Sequence, residues 1–497
     1  MTITSYRALP EAPKEYGLFI GGTWEAAGDR RLSTRISPGY GKPVTCVPLC
    51  TVADVNRAVA AARAVFRAGV WSRTDGAARA AVLRRMAEGI RGRAEELAYW
   101  ETLESGKPIS QSLGEMEGAA QNFDLAAGLA MTLHGESANN LGEGMMGLVT
   151  RQPVGVVGLI TPWNFPMIVL AERLPYILAS GNSVVVKPAE ITSATTLMLA
   201  DIAQAAGLPA GVYNVVPGSG RDVGQAISEH VDVNMVSFTG STATGALVLQ
   251  ASTSNFKKVG LELGGKNPQI VFADADLDDA ADGVAFSMCF NAGQCCVSGS
   301  RLIVQASVAN RFVDLLKKKL SRVRIGECLD PDSQMGAIST PEHCAKILDY
   351  IELGQSEGAT LAFGGQKRSS AGWFIEPTIL TNTHNGMRVA SEEIFGPVLC
   401  VMTFETPEEA LEMAIDSIYG LAASIWTKDI DKAITMMRGV EAGRTWVNTT
   451  IAGGPGQPMG GFKQSGIGRE AGMLGVEEYT EVKSIHIAIG KRSHWVR

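Results

Sequence analysis

Residues 154–166 read VGVVGLITPWNFP, a near-continuous apolar run that ends in a proline-bounded turn. Apolar runs of this kind are typical of strands buried on both faces of a parallel sheet. Further short apolar runs lie at 183–187, 212–216, 235–238 and 269–272. Amphipathic helical patterns separate them, as at 192–207 and 220–228. The alternation predicts a parallel sheet with helices on both faces.

The second half of the chain repeats this rhythm. Its short apolar runs lie at 302–304, 398–404, 422–426 and 445–448. The chain has 497 residues, and at about 150 residues per domain this length predicts two or three domains. We therefore expect an α/β protein with two doubly wound parallel-sheet domains.

The composition excludes several classes of protein. With 45% hydrophobic and 19% charged residues, the chain can bury a large core. Its net charge is −7 and it has no long basic block, so we expect no nucleic-acid partner. No apolar run reaches the ~18 residues of a membrane helix, and the N-terminus resembles neither a signal nor a transit peptide. Eight cysteines are ordinary usage for this length, which favours a cytoplasmic location over an oxidising compartment.

Two segments fit neither predicted domain. Residues 133–150 are Gly-rich and weakly hydrophobic, which is consistent with a hairpin. Residues 485–489 alternate with period two, as a half-buried strand does. Because an exposed apolar strand promotes aggregation unless another chain covers it, we interpret both segments as an oligomerisation arm. The alternative is that both pack back onto their own chain.

The most unusual local sequence is FNAGQCCVSGSR at 290–301, with adjacent cysteines at Cys295 and Cys296. Vicinal cysteines rarely form a structural disulfide, and the Gly and Ser residues around them indicate a loop or a helix start. A helix N-terminus would lower the pKa of a thiol. The residues alone leave two readings open, a reactive cysteine and a pair of inert buried ones.

Two polar side chains stand at turns where chemistry could occur. Glu262, in LELGGKNP at 261–268, precedes two glycines and a predicted strand, a placement that suits a flexible general base near a cleft. Asn164 follows the 154–160 strand, where ligands of α/β sheets usually bind, and its amide could stabilise an oxyanion. Each residue taken alone is equally compatible with a loop position of no function.

The glycine-rich and histidine patterns are less informative. Gly218, Gly220 and Gly224 differ by one residue from the usual dinucleotide fingerprint. The segment 240–245 begins like a phosphate-binding loop but lacks the Lys and Ser/Thr of an ATP site. The six histidines have no metal-ligand spacing, so we expect no metal site.

Taken together, seven motifs resemble those of the aldehyde dehydrogenase superfamily over nearly the whole chain. They stand in that family's order and spacing: TPWNFP, VVKPAE, FTGST, LELGGKNP, GQCC, EEIFGPV and GGFKQSGIGRE. The resemblance implies a Rossmann-like NAD-binding domain (1–131 and 152–261) and a catalytic domain (262–470). It also implies a small β oligomerisation arm at 132–151 and 480–497.

The resemblance assigns the catalytic roles. Cys296 is implied as the nucleophile that forms a thiohemiacetal with the aldehyde and then a thioester. The Asn164 amide and the Cys296 N–H are implied to hold the oxyanion. Glu262 is implied as the base that activates water to hydrolyse the thioester. Because relatives that transfer the acyl group to coenzyme A typically lack this glutamate, a free acid is the expected product.

The cofactor residues also come from the resemblance. Lys187 and Glu190 match residues that bind the adenosine ribose, and a carboxylate at this position favours NAD over NADP. Ser241 matches a residue near the pyrophosphate, at a helix start whose dipole favours an anion. The remaining implied residues are Glu393 at the nicotinamide ribose, Phe395 and Trp163 near the nicotinamide, and Gly220 and Gly240 in the cofactor site.

The implied substrate tunnel departs from the family pattern. It comprises Phe165, Glu172, Cys295, Val297 and Met459. Glu172 and Met459 stand where several relatives have aromatic residues, so an aromatic cage for a trimethylammonium aldehyde is incomplete. Glu172 could attract a cationic amino-aldehyde, or it could point into solvent beside Arg173.

A further departure concerns proton transfer. Many members have a lysine at the position of Arg173, where it has been linked to a proton route that ends at the residue matching Glu470. An Arg173–Glu470 pair could form, but arginine cannot release a proton, so a relay role for position 173 is in doubt.

The sequence leaves alternatives to NAD-dependent aldehyde oxidation. They are a cysteine-dependent hydrolase or esterase without redox chemistry, a coenzyme A-acylating dehydrogenase, and a non-catalytic binding protein. The retained Cys296, Glu262 and Asn164 favour catalysis. A small-molecule aldehyde is the expected partner, and we expect a homodimer or homotetramer with no membrane association.

Overall fold

The computed structural model describes residues 8–28, 30–368, 371–491 and 495–496. Its strands are β1 Lys14–Glu15, β2 Leu18–Ile20, β3 Thr23–Glu25, β4 Leu32–Ile36, β5 Pro43–Pro48, β6 Glu136–Ala138, β7 Met145–Pro153, β8 Val156–Ile160, β9 Ser183–Lys187, β10 Tyr213–Val215, β11 Met235–Thr239, β12 Lys258–Glu262, β13 Asn267–Val271, β14 Gly299–Gln305, β15 Thr360–Phe363, β16 Thr378–Thr381, β17 Val398–Phe404, β18 Tyr419–Gly420, β19 Ala422–Trp426, β20 Arg444–Val447, β21 Phe462–Lys463, β22 Gly466–Ile467 and β23 Thr480–Ala488.

Helices connect most of these strands. They are α1 Val52–Ala68, α2 Gly76–Gly92, α3 Ala94–Ser105, α4 Ile109–Thr132, α5 Pro166–Ala171, α6 Leu174–Ala179, α7 Ala194–Ala205, α8 Gln225–Glu229, α9 Thr242–Ala251, α10 Leu277–Cys289, α11 Ala309–Leu320, α12 Pro341–Ser356, α13 Arg388–Ser391, α14 Pro407–Ile415, α15 Ile430–Gly439 and α16 Gly472–Glu478. A π-helical turn spans Gly220–Gly224, and 3₁₀ turns include Phe290–Gly293.

The first large sheet contains the strand predicted from residues 154–160. Its order is β22-β12-β11-β8-β9-β10-β2-β3, and the strands from β12 to β10 run parallel. All five residues of β8 are buried. Val157 and Leu159 pack into one apolar core, and Val156 and Ile160 pack into the core on the other face. The two-sided burial explains why the strand is uniformly apolar.

The second large sheet has the order β15-β16-β17-β14-β13-β19-β20, with an antiparallel pair only at β15 and β16. Leu302 and Val304 of β14 face one core, whereas Ile303 faces the other. This confirms the expected α/β class with two doubly wound sheets. The predicted runs at 398–404 and 422–426 coincide with β17 and β19.

The strand order predicts a ligand site at the carboxyl ends of the strands in the first sheet. β9 and β10 lie on one side of β8, and β11 and β12 lie on the other side. The order therefore reverses between β8 and β11, and ligands of α/β sheets bind beyond the carboxyl ends of such strands. The segments that follow these ends begin at Thr161 and at Gly240.

A separate small sheet has the order β23-β7-β6. β6 and β7 form the hairpin predicted at 133–150, and β23 pairs antiparallel with β7 from Thr480 to Ala488. Nearly all of β23 is exposed in the single chain, including Val482 and Ile487, so the half-burial expected of this strand stays a prediction about the assembled protein. Residues 492–494 and 497 of the predicted arm lie outside the described residues.

Two short strands tie the C-terminal region to the first sheet and to the second domain. β22 pairs antiparallel with β12, so this piece of the predicted 262–470 segment completes the first sheet. β21 pairs with β18, which directly precedes β19 of the second sheet. Among the described residues, no helix is both long and apolar enough to cross a bilayer.

Candidate active site

Cys296 lies between the Phe290–Gly293 turn and β14. It is half-buried, whereas the other seven cysteines are buried. Of the loop and the helix start that the sequence left open, the structure shows a loop, because the chain continues into a strand. Contact with Cys295, burial and the charge of Glu262 raise the pKa of Cys296 well above its usual value. The thiol therefore needs a base to release its proton.

Two buried amides hold the loop that carries Cys296. Asn267 Nδ2 donates to the carbonyls of Cys296 and Ser298, each at 2.8 Å, and its Oδ1 accepts from the Ala422 N–H at 3.0 Å. Gln294 Nε2 donates to the Ala337 carbonyl at 3.1 Å. Sequence reasoning missed both roles, although Asn267 and Gln294 belong to the LELGGKNP and GQCC motifs.

Close packing also fixes the turn before the cysteines. Asn291 and Ala292 have φ of 48° and 54°, and Gly293 has φ of 72°. A Cβ at Gly293 would lie 2.3 Å from the main chain of Gly396. Only glycine fits this approach, so the turn is held against the segment before β17.

Glu262 is the last residue of β12 and is 3% exposed. The expectation of a flexible loop carboxylate is wrong, because Glu262 pairs in register with Gly466 of β22. Its Oε1 has no hydrogen-bond partner among the described residues, and its Oε2 lies 3.8 Å from Arg173 Nη2. Burial, opposed by Arg173, raises the pKa of Glu262 to about 7. A carboxylate with this pKa is suited to accept a proton near neutral pH.

Asn164 follows β8 and is buried beside the nucleophile loop. Its Nδ2 donates to the Gln294 carbonyl at 3.0 Å, and its own carbonyl accepts from Asn291 Nδ2 at 2.9 Å. A primary amide has two N–H groups, so one remains for an oxyanion. The main chain of Gln294 thus sets the position of the Asn164 amide next to the two cysteines.

A cleft of about 910 Å³ opens at the reversal of strand order in the first sheet. Six of the predicted cofactor residues line it: Trp163, Lys187, Glu190, Gly220, Gly240 and Ser241. Glu393 and Phe395 lie outside this lining. Glu393 Oε1 accepts from the Gly265 N–H at 3.0 Å, and the Phe395 ring packs edge-on against Trp163, with centroids 5.4 Å apart.

The cleft has features that fit a dinucleotide. Ser241 is the N-cap of α9, so the positive end of that helix faces the cleft. A Cβ at Gly240 would lie 2.5 Å from the Phe238 ring, which keeps this wall free of a side chain. Glu190 Oε1 accepts from the Gly220 N–H at 2.9 Å, and burial lowers the pKa of Lys187 to about 8. These polar groups suit ribose hydroxyls and a pyrophosphate.

A second cavity, of about 570 Å³, contains Cys296 and Glu262 in its lining. The five predicted tunnel residues all line it: Phe165, Glu172, Cys295, Val297 and Met459. Phe290, which stacks on Phe165, and Trp446 also line this cavity and were not predicted. Phe290 and Trp446 supply aromatic surface to this cavity, whereas Glu172 and Met459 stand where several relatives have aromatic residues.

Arg173 lies at the centre of the buried charges. Its guanidinium is 3.6 Å from Glu172, 3.8 Å from Glu262 and 3.7 Å from Glu470. The Arg173–Glu470 pair considered from the sequence is therefore present. Glu172 lines the cavity with 26% of its side chain exposed, and so belongs to the tunnel. Within the described part of the chain, no cluster of metal-ligating side chains is present; His494 lies outside it.

Comparison with known proteins agrees with this geometry. The profile of the aldehyde dehydrogenase family matches residues 24–485. Betaine aldehyde dehydrogenase of Bacillus subtilis is 40% identical over 94% of this chain and 96% of its own length. A crystal structure of an NAD-dependent aldehyde dehydrogenase from Sinorhizobium meliloti is 44% identical, has a TM-score of 0.96 and covers 97% of both chains.

A third relative was solved with its cofactor. A mutant P. syringae indole-3-acetaldehyde dehydrogenase in complex with NAD⁺ is 43% identical, with a TM-score of 0.94 over 96% of this chain and 98% of that one. The fold, the cleft and these relatives agree on NAD-dependent oxidation of an aldehyde, and the chain belongs to the aldehyde dehydrogenase family.

Proposed function

We propose that this chain oxidises an aldehyde to the free carboxylic acid, with Cys296 as nucleophile, Asn164 as oxyanion donor and Glu262 as base. One observation carries the proposal: the half-buried thiol and the buried carboxylate line the same cavity. The alternative of a cysteine hydrolase that depends on histidine is less well supported, because no histidine is among the described residues that line the cavity of Cys296.

In the acylation half-reaction, Glu262 accepts the Cys296 proton as sulfur attacks the aldehyde carbon. The proton transfer removes the negative charge that raises the pKa of Cys296. The carbonyl oxygen becomes an oxyanion, and the Asn164 amide and the Cys296 N–H are the donors that would stabilise it. Bound NAD supplies the acceptor for the hydride that leaves the same carbon.

In the deacylation half-reaction, Glu262 takes a proton from water, which attacks the thioester carbon. The C–S bond breaks, the acid is released, and the sulfur leaves as thiolate and regains its proton from Glu262. A general base is required when water is the acyl acceptor, and the position of Glu262 on the cavity wall supports hydrolysis over transfer to coenzyme A.

In the cofactor cleft, we assign the adenosine ribose to Lys187 and Glu190 and the pyrophosphate to the N-terminus of α9. Glu190 lines the cleft, and its charge would repel a 2′-phosphate, which supports a preference for NAD over NADP. Glu393 and Phe395 are assigned to the nicotinamide side, supported by the contact of Phe395 with Trp163.

We also infer that the β23-β7-β6 sheet is an oligomerisation arm of a homodimer or homotetramer, with domain boundaries at 131/132, 151/152, 261/262 and near 470. The exposed apolar side chains of β23 support this role, since a partner chain would cover them. A cytoplasmic location is supported by eight cysteines that are all free.

The direct test is NADH formation by the purified protein across aliphatic, aromatic, semialdehyde and amino-aldehyde substrates. We expect turnover with a clear preference and release of free acid. Cys296→Ala should abolish turnover while NAD still binds in a calorimetric titration. Turnover that survives in Cys296→Ala would place the nucleophile elsewhere.

A further inference from the structure

Three carboxylates surround the Arg173 guanidinium in the interior of the protein. The guanidinium is 1% exposed and lies among three carboxylates, at 3.6 to 3.8 Å from each. These distances exceed hydrogen-bond length, so the cation holds the carboxylates electrostatically, and Glu262 Oε1 has no hydrogen-bond partner among the described residues. Arginine itself does not deprotonate in proteins, so it cannot pass a proton on.

Glu262 needs an outlet for its proton, an argument that rests on the proposed function. Oxidation of an aldehyde with NAD⁺ and water gives a carboxylate, NADH and two protons, and over a full cycle both protons come from water because the Cys296 thiol is formed again. Glu262 takes up the first proton during acylation and must lose it before it can activate water. Because Glu262 is 3% exposed, another group has to carry this proton to solvent.

Glu470 offers no such outlet. Its Oε1 accepts from Ser237 Oγ at 3.1 Å and its Oε2 accepts from the Tyr479 hydroxyl at 2.7 Å. Tyr479 is fully buried, and burial beside Glu470 raises the pKa of its hydroxyl well above the usual value. The chain of hydrogen bonds beyond Glu470 thus leads into the core and not to water.

Glu172, unlike Glu470, is partly exposed to the substrate cavity. It follows α5, lines the substrate cavity together with Glu262 and Cys296, and has 26% of its side chain exposed. Burial raises the pKa of Glu172, while Arg173 and Arg444 oppose the shift and Glu470 adds to it. The Glu172 carboxylate therefore takes up a proton more readily than a solvated glutamate does, which suits it to accept one from Glu262.

We propose that Glu172 accepts the proton that Glu262 takes up in acylation and passes it to water in the substrate cavity, whereas the proton that Glu262 takes from water in deacylation returns to the Cys296 thiolate. The O–H bond on Glu262 breaks as one forms on Glu172, directly or through one water molecule. A second proton transfer to cavity water then restores the Glu172 carboxylate. Arg173 positions the two carboxylates by binding one with Nη1 and the other with Nη2.

The test uses the isosteric Glu172→Gln variant, which keeps the shape of the side chain but cannot transfer a proton. We expect the NADH burst to stay within about twofold of wild type, because Glu262 can accept one proton unaided. Thioester decay, followed in a single turnover by acid quench and mass spectrometry, should slow by about tenfold. This is less than the ~10²–10⁴ of a direct base, since cavity water partly substitutes.

Two further measurements separate proton transfer from a merely structural role. Imidazole added to Glu172→Gln should restore thioester decay in a concentration-dependent way, and Glu172→Asp should retain most of the wild-type rate. Glu470→Gln is the matched variant on the other side of Arg173 and should leave the solvent deuterium isotope effect on decay unchanged.

Each other outcome overturns the inference. Normal thioester decay in Glu172→Gln would mean that the proton leaves without this carboxyl. Loss of the burst, or slow decay that imidazole does not rescue, would assign Glu172 to charge balance only. If thioester decay is slow in Glu470→Gln and normal in Glu172→Gln, the proton leaves through Glu470 and not through Glu172. Absence of aldehyde oxidation in the wild-type enzyme would instead refute the proposed function, and so the two failures are distinguishable.

Discussion

The side-chain amide of Asn267 donates a 2.8 Å hydrogen bond to the main-chain carbonyl of Cys296. Asn267 is the first residue of β13, so this bond ties the nucleophile to the start of a central strand in the second sheet. The same side chain also bonds to Ser298, directly before β14, and to Ala422 of β19. One amide thus fixes where the reactive sulfur stands relative to three elements.

Replacement of Asn267 should therefore impair chemistry more than cofactor binding. In Asn267→Ala, two carbonyls and one N–H lose their partner, which should lower the free energy of unfolding by about 1–3 kcal/mol. We expect kcat to fall by on the order of 10²-fold, because small displacements of a nucleophile are costly. Steady-state kinetics and chemical denaturation measure the two effects.

Asn385→Ala is the matched control for this experiment. Asn385 also donates to a main-chain carbonyl, that of Met413, but it does not line the substrate cavity. It should lose stability without a comparable loss of kcat. Equal kcat losses in the two variants would argue against a positioning role for Asn267.

Removal of the base should separate the two half-reactions. Glu262→Gln should give at most one NADH per active site, followed by slow turnover and an accumulated thioester detectable by mass. The glutamine cannot accept a proton from water, which slows hydrolysis. It also removes the charge that helps to raise the pKa of Cys296, so the thiol loses its proton more readily without the base and hydride transfer slows less. Wild-type steady-state turnover in this variant would refute the assignment of the base.

The pH dependence of kcat should report the same carboxyl. Its pKa of about 7 means that Glu262 is protonated, and inactive as a base, at lower pH. We expect kcat to fall as the pH drops below about 7 and to level off above it. A wild-type profile flat from pH 5.5 to 8.5 would contradict this prediction.

The raised pKa of Glu262 also has a consequence for stability. Because the folded-state pKa lies above that of the unfolded chain, the folded protein binds the proton more tightly between about pH 4.5 and 7. The contribution of Glu262 to stability is thus present at the lower pH and is lost as the pH rises through about 7. As the pH rises from about 4.5 to 7, the free energy of unfolding of Glu262→Gln should decrease less than that of the wild type, measured by urea denaturation.

Cofactor choice should depend on the charge of Glu190. Glu190→Gln removes the repulsion of a 2′-phosphate, and we expect the NADP/NAD ratio of kcat/KM to rise by roughly tenfold, equivalent to about 1.4 kcal/mol. Asp222→Asn is a suitable control, because Asp222 bonds to Ser219 nearby but does not line the cleft. An unchanged ratio in Glu190→Gln would mean that another residue sets the preference.

Assembly should depend on the exposed face of β23. Ile487→Lys places a charge on a strand whose side chains face solvent in the single chain, and we expect it to reduce the molar mass measured by light scattering. Val70→Lys, in the loop after α1, is a control at a similarly exposed apolar residue. The arm assignment fails if Ile487→Lys retains the wild-type mass.

The secondary structure was largely predictable from local patterns. The runs at 183–187, 398–404 and 422–426 coincide with β9, β17 and β19, because strands buried on both faces must be apolar throughout. The hairpin at 133–150 follows from the same kind of local signal.

The sequence by itself determined the α/β class, the family and the identity of the candidate site residues, because motif order and residue chemistry are linear properties of the chain. Only the tertiary structure decided the environment of each group. β22, some 200 residues beyond β12, buries Glu262 at a strand end, and Arg173 faces the carboxylates of Glu262 and Glu470 from two distant segments. Burial and through-space charge set a pKa, and both depend on neighbours that are distant in sequence.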